Sequence, residues 1–281
     1  MKKSLAVLLC GAMLMLGACG GGSNQASGDK KEKMVKIGIT QIVEHPSLDA
    51  TREGFIAALK DAGYEEGKNL KLDYQNAQGD MNNNASIAQK LVSDKNDLIL
   101  AIATPSAQAA VQATKDIPIL FSAITDPVSA ELVQSFEEPG GNATGTSDTH
   151  PDAIKNTIAS IKKFIPDAKK VGIIYNNGEP NSVINVKNAK EAIKEAGLEA
   201  VETTISTSSE VKQAAESMVG RVDVLYIPKD NTVVAALESV IAVGNDKDIP
   251  IFSGDGDSVK RGTFASRSEE HTSELQSPLD I

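Results

Sequence analysis

The chain has 281 residues, a formal net charge of −10, 41% hydrophobic and 23% charged residues, and no tryptophan. The acidic balance argues against a nucleic-acid partner, whose phosphates need a basic face, and the ordinary apolar share argues against disorder over most of the length. The two cysteines are Cys10 and Cys19, both near the start, so the body of the chain has no disulfide, no thiol catalysis and no cysteine metal site.

Lys2 and Lys3 precede an apolar run from Leu5 to Leu16. That run is too short to span a bilayer, which takes about 20 residues, and its charged start and small-residue exit are those of an export signal. Leu16-Gly17-Ala18-Cys19 resembles the bacterial lipobox. The resemblance implies that residues 1–18 are removed and that the Cys19 thiol carries lipid. Two or more acyl chains, at about 0.8 kcal/mol per buried methylene, make a stable anchor. The expected location is therefore extracytoplasmic, lipid-anchored to the outer face of the cell membrane or in a periplasm. Residues 19–33 are rich in Gly, Ser, Asn, Gln and Lys, a composition that buries no apolar area and reads as a flexible spacer.

From Val35 onward, short β-branched runs alternate with longer stretches of helical apolar spacing. Strands are predicted at Val35–Gln41, Leu70–Gln75, Leu98–Ile102, Ile119–Ser122, Val171–Tyr175, Leu198–Thr204, Val224–Ile227 and Ile249–Ser253. Helices are predicted at Pro46–Ala62, Asn84–Ser93, Pro105–Thr114, Ala153–Phe164, Asn181–Ala196, Ser209–Val219 and Thr232–Val243. Such alternation predicts an α/β fold of parallel sheets covered on both faces. Lys60-Asp61-Ala62-Gly63 returns as Lys194-Glu195-Ala196-Gly197, and Lys115-Asp116-Ile117-Pro118-Ile119 as Lys247-Asp248-Ile249-Pro250-Ile251. The near-equal offsets predict two doubly wound lobes, residues 34–145 and 146–266, divided after the breaker-rich Glu138-Pro139-Gly140-Gly141-Asn142 and joined by a hinge. Two such lobes facing each other enclose a cleft lined by the carboxyl ends of strands.

Val35 to Pro46, Asp73 to Asp80, Ala101-Ile102-Ala103-Thr104-Pro105, Ile124-Thr125-Asp126-Pro127-Val128, Tyr175-Asn176, Asp230-Asn231-Thr232-Val233 and Asp257 to Gly262 together resemble the ABC-transporter substrate-binding lipoproteins of the tryptophan/tyrosine-type family. The resemblance covers Val35 to Ser266. It implies a type I periplasmic-binding-protein fold that works as a monomer, captures a small solute such as an aromatic or other amino acid, and delivers it to an ABC permease. A non-amino-acid solute such as a nucleoside, and a surface-anchored hydrolase, are the alternatives.

Position and resemblance together nominate the site. Thr40 and Gln41 end the first strand, Glu44 follows them, Thr104 and Ser106 follow the third strand, and Thr125 and Asp126 follow the fourth. Free N–H groups at helix starts favour an anion, so Thr104, Ser106 and Thr125 are assigned to a ligand carboxylate. Asn176, Asp230, Asn231 and Asp255 come from the second lobe, with Asp255 or Asp230 placed to pair with an ammonium group. Thr104, Ser106 and Asn231 equally suit plain helix caps, Asp126 before Pro127 suits a turn, and Glu44-His45-Pro46 also reads as a surface loop.

Signals for catalysis are sparse. The histidines are His45, His150 and His271, and the chain has no G-x-S-x-G elbow, H-E-x-x-H pair or phosphate-binding loop. Asp255-Gly256-Asp257 begins like a calcium loop but lacks the later ligands, so no metal and no cofactor are expected. Arg267 to Pro278 resembles the conceptual translation of a sequencing adapter, and residues 267–281 are set apart from the fold on that account. The second lobe is accordingly expected to be incomplete at its carboxyl end.

Overall fold

A computed structural model of the chain describes residues 34–150 and 152–266. The export signal, Cys19, the spacer and the carboxyl-terminal tail lie outside the described residues. The elements run β1 (Val35–Gln41), α1 (Pro46–Asp61), β2 (Leu70–Asn76), α2 (Met81–Ser93), β3 (Leu98–Ile102), α3 (Thr104–Ala113), β4 (Ile119–Ile124) and β5 (Ala143–Ser147). They continue with α4 (Ala153–Phe164), β6 (Lys170–Asn176), α5 (Pro180–Glu195), β7 (Glu199–Ile205), α6 (Val211–Met218), β8 (Val224–Ile227), α7 (Asn231–Ala235), α8 (Leu237–Asp246), β9 (Ile251–Ser253) and α9 (Gly256–Arg261).

Two sheets result, ordered β2-β1-β3-β4-β5 and β7-β6-β8-β9, with every pairing parallel. The second order repeats the first strand for strand. Just past β9, Ala265 bridges Phe252 in parallel at the sheet edge that corresponds to the place of β5. The sequence repeats fall on equivalent corners: Gly63 and Gly197 follow α1 and α5 with φ of 88° and 70°, where a side chain would be strained.

Each sheet is apolar on both faces because alternate residues of a strand point to opposite sides. In β3, Ile99 and Ala101 join one buried cluster with Leu91, Ala107 and Phe121, while Leu100 and Ile102 join another with Ile37, Ile39 and Leu48. In β8, Leu225 and Ile227 pack with Val211, Met218 and Leu237, and Val224 and Tyr226 with Ile158, Ile193 and Phe252. Helix α4 shows the matching helical rule, burying Ile154, Thr157, Ile158 and Ile161 along one stripe.

Several boundaries differ from expectation, each for a local reason. β5 is a strand the periodicity did not announce, since Ala143-Thr144-Gly145-Thr146-Ser147 has no β-branched apolar run. It completes the first sheet through Ser147, beyond the expected lobe boundary at 145. Helix α2 begins at Met81, before the predicted Asn84, because the Asp80 side chain accepts from the Asn82 and Asn83 N–H groups. The predicted helix Thr232–Val243 is two helices, α7 and α8, broken at Ala236 with φ −117° and ψ 26°. Strand β9 starts at Ile251 because Pro250 has no N–H to give; its carbonyl accepts from Leu225 instead. Helix α9 was not expected and is capped by Asp255, which accepts from the Ser258 N–H.

Gly145 sits opposite Phe121 in the ladder, and a Cβ there would lie 1.9 Å from the Phe121 carbonyl oxygen. Gly145→Ala is expected to cost about 1–3 kcal/mol or more through overpacking, read as a lower urea midpoint. Gly141→Ala, whose added carbon has nothing within 4 Å, is expected to change stability by less than about 0.5 kcal/mol.

Candidate functional site

The carboxyl ends of both sheets face one cavity of about 310 Å³. The first lobe lines it with His45, Ser47, Leu48 and Thr51 from the β1–α1 corner, Ser122, Ala123 and Thr125 from the end of β4, and Thr146, Ser147 and Asp148 from the end of β5. The second lobe supplies Asn181, Lys229, Asp230, Asn231, Val234, Asp255 and Asp257. This is the crevice that parallel doubly wound sheets leave at their carboxyl edges.

Backbone geometry shapes the first-lobe wall. The register of β4 against β5 shifts between Phe121 and Ile124, and Ala123 in that interval has φ of 58°, a left-handed conformation that costs an alanine energy. The irregularity turns the Ser122–Thr125 segment toward the cavity. Ser147 Oγ donates to the Thr125 carbonyl at 3.2 Å, and the Asp148 N–H donates to the Ile124 carbonyl at 2.9 Å, fixing β5 beside it.

The second-lobe wall is organised by two buried carboxylates. Glu179, 1% exposed, precedes Pro180 at the start of α5 and reaches across to α7. Its Oε1 accepts from the Thr232 N–H at 2.9 Å and Thr232 Oγ1 at 2.7 Å; its Oε2 accepts from Asn231 Nδ2 at 2.6 Å, the Asn231 N–H at 3.2 Å and Asn181 Nδ2 at 3.2 Å. Asp230 is fully buried, caps α7 through the Val233 N–H at 2.8 Å, and accepts from the Asn176 N–H at 2.6 Å. Burial, and then the nearby Glu179 charge, push the Asp230 carboxyl up to about 7.

Contacts join the two walls. Asn185 Nδ2 donates to Thr125 Oγ1 at 3.3 Å, His45 faces Asn231, and Ser47 faces Asp257. Lys229 Nζ donates to the Asp148 carbonyl and lies 3.5 Å from its carboxylate. Helix α1 points its first turn at the cavity, with Ser47 and Leu48 in the lining.

Of the residues nominated from sequence, Thr125, Asp230, Asn231 and Asp255 line this cavity. Thr104 and Ser106 do not: both are buried outside the lining, and Ser106 Oγ donates to Asn84 Oδ1 at 3.2 Å. Gln41 is held within its own lobe, donating to Asp49 and the Val43 carbonyl and accepting from Arg52, and Thr40 is fully buried beside it. Glu44 is exposed and accepts from the Tyr74 hydroxyl. Asp126 closes a turn through the Val128 and Ser129 N–H groups, and Asn176 faces a separate space with Gln78, Gly79 and Ser206. Residues that sequence reasoning left out include His45, Ser47, Ser122, Ser147, Asp148, Glu179, Asn181, Lys229 and Asp257. The rule that strand ends face the cleft would have found Ser147 and Asp148 had β5 been recognised, and Lys229 at the end of β8. Glu179 carries no sequence signal, because glutamate is an uncommon helix cap.

An acid whose folded pKa lies above its unfolded value holds its proton more tightly when folded. Its contribution to stability is then fully present below about pH 4 and is lost as pH rises toward about 7. The stability of the wild type relative to Asp230→Asn is therefore expected to fall across that interval and to level off above it, as measured by urea unfolding at a series of pH values. A difference that rises with pH would contradict the assignment.

Comparison with known proteins agrees with this geometry. The family model described as ABC transporter substrate binding protein matches residues 36–272. A curated tyrosine-binding protein of Clostridioides difficile (strain R20291) is 51% identical over 271 residues, covering 94% of this chain and 78% of its own. The crystal structure of an ABC domain in complex with L-Trp from Streptococcus pneumonia is 35% identical, with a TM-score of 0.76 over 82% of this chain and 77% of that one. The ligand-free, open structure of a substrate-binding protein with adhesive properties from Clostridium difficile is 48% identical over the same shares, yet its TM-score is 0.56. Higher identity with poorer overall superposition is what a change of angle between two preserved lobes produces. Built on two doubly wound lobes around a shared crevice, the chain belongs to the ABC transporter substrate-binding protein family, with a type I periplasmic-binding-protein fold.

Proposed function

We propose that this protein is the extracytoplasmic capture component of an amino-acid importer, closing its two lobes on an aromatic amino acid, tyrosine or tryptophan, and presenting it to an ABC permease. The observation that carries the reading is the cavity itself: it draws polar groups of both charges from two lobes and lies at the small end of the range for ligand pockets, of order 300–1,000 Å³. A zwitterion suits it. Lys229, Thr125, Ser147 and the first turn of α1 can take the carboxylate, and Asp255, which is half-buried in the lining, the ammonium group. Leu48, Val234 and the methylene stems of the lining residues leave room for a ring. The protein acts as a monomer and performs no chemistry: its work is the difference in solute contacts between open and closed lobes.

Cys19 places the protein. Acylated there, the chain stands on the outer face of a membrane, with residues 20–33 as the tether. Among the described residues no helix is long and apolar enough to cross a membrane.

L-tyrosine or L-tryptophan at a hundred times its Kd is expected to stabilise the protein by about 2.7 kcal/mol, seen as a rise in melting temperature that glycine does not produce. Asp255→Asn is expected to weaken that binding by about 10- to 100-fold in calorimetry, the worth of a charge-assisted bond. No response to any amino acid would refute the reading. In a bacterial host, Cys19→Ser is expected to move the protein from the membrane fraction to the soluble one and to abolish labelling by a fatty-acid analogue.

A further inference from the structure

His45 sits where the lobes meet. It ends the loop from β1 at the N-cap position of α1, is 9% exposed, and lines the cavity. Its side chain does not cap the helix; it faces Asn231 of the second lobe. Nδ1 is buried with no hydrogen-bond partner, an arrangement that suits a neutral imidazole with that nitrogen bare.

A second proton has nowhere good to go. Placed on Nδ1, it would be a donor shut away from water with no acceptor, attached to a charge in the lobe interface. Three carboxylates face the ring: Asp49 on its own helix α1, Asp255 at the start of α9 and Asp257 within it, with Arg261 of α9 opposing them. Asp230 beside Asn231 spends its oxygens on the Asn176 and Val233 N–H groups. Desolvation outweighs the attraction of those acids and holds the imidazole below its ordinary value of 6.5. When the lobes part, the ring loses Asn231 and gains solvent, and the penalty disappears.

We propose that His45 ties the grip on the solute to the surrounding proton concentration: the lobes close over it in its neutral form, so acidification favours the open protein and releases the solute. This rests on the amino-acid capture reading above. Below the ordinary imidazole value, closing expels one proton per molecule, and solute affinity falls with decreasing pH toward a limit of tenfold per unit. A free amino acid does not titrate between pH 5.5 and 7.5, so the loss is the protein's own.

The test is calorimetry with L-tyrosine near pH 7.5 and near pH 5.5, each in two buffers of different ionisation enthalpy, on the wild type, His45→Gln and His45→Asn. The expected result is an affinity lower at the acid end, by up to about tenfold, with net proton release on binding there that shrinks toward pH 7.5. Both variants, neutral at position 45 throughout, should lose the wild-type drop in affinity at the acid end and the proton release that accompanies it; Asp230, held by its own second-lobe partners, titrates in wild type and variants alike and cancels in the comparison. Equal wild-type affinities, or variants that keep the wild-type pH dependence and proton release, overturn the proposal. If no amino acid binds at pH 7.5 the capture reading itself fails, and the proposal with it. The two variants are read independently, so one that folds poorly leaves the other to decide the test.

Discussion

The buried carboxylate of Glu179 is the constraint around which the second lobe's half of the cavity is built. Carboxyl oxygens this deep are tolerable only if their lone pairs are filled, and five N–H and O–H donors from three side chains and two backbone amides converge on them. Filling them has structural consequences. The first two N–H groups of α7 must point at α5, which sets the rotation of α7 and turns Asn231 toward the cavity and Thr232 toward Asn176. Asp230 then closes the same helix from the other side while holding the end of β6. Burial first, and then the neighbouring Glu179 charge, raise the Asp230 carboxyl.

The walls differ in character because different chemistry shapes them. The first-lobe wall is largely hydroxyl and backbone, from Ser47, Thr51, Ser122, Thr125, Thr146 and Ser147, displayed by a strained bend at Ala123. The second-lobe wall carries Lys229, Asp230, Asn231, Asp255 and Asp257. Duplicated sheets of the same strand order thus present unlike surfaces, the difference lying in the loops after equivalent strands. The cavity is thereby bounded by hydroxyl and backbone groups on one side and by most of its charged groups on the other.

How much of this was legible in the sequence follows from what each feature depends on. Parallel strands buried on both faces are short apolar runs, so Ile37–Gln41 or Val224–Ile227 announce themselves, and the alternation with helices gives the two lobes. β5 has no such run: Gly145 is there because Phe121 leaves no room for a side chain, a tertiary reason invisible in local pattern. The rule that sites lie at carboxyl ends of strands puts Thr125, Asp230, Asn231 and Asp255 in the cavity lining, but it does not say which strand-end residues a neighbouring helix will bury. Thr104 and Ser106 occupy equivalent places in the chain and are buried outside the lining. Glu44-His45-Pro46 read as a loop because Pro46 starts a helix; that the histidine would cross to the other lobe depends on Asn231, far away in sequence.

The direct contacts between the lobes also explain why the grip is reversible. Those across the cavity, Asn185 with Thr125, His45 with Asn231 and Ser47 with Asp257, are polar. Each exchanges a bond to water for a bond to protein and is worth little net, of order 1 kcal/mol, against the cost of ordering the groups that make it. The buried apolar clusters stay within one lobe or the other, so parting the lobes uncovers no core. With no hydrophobic seam among the described residues, and with the partly exposed Lys229–Asp148 pair worth little in contact with water, the closed form needs the bonds that a solute makes to both walls at once. A surface that held itself shut would bind tightly and release slowly, whereas one held by its cargo opens as soon as the cargo leaves.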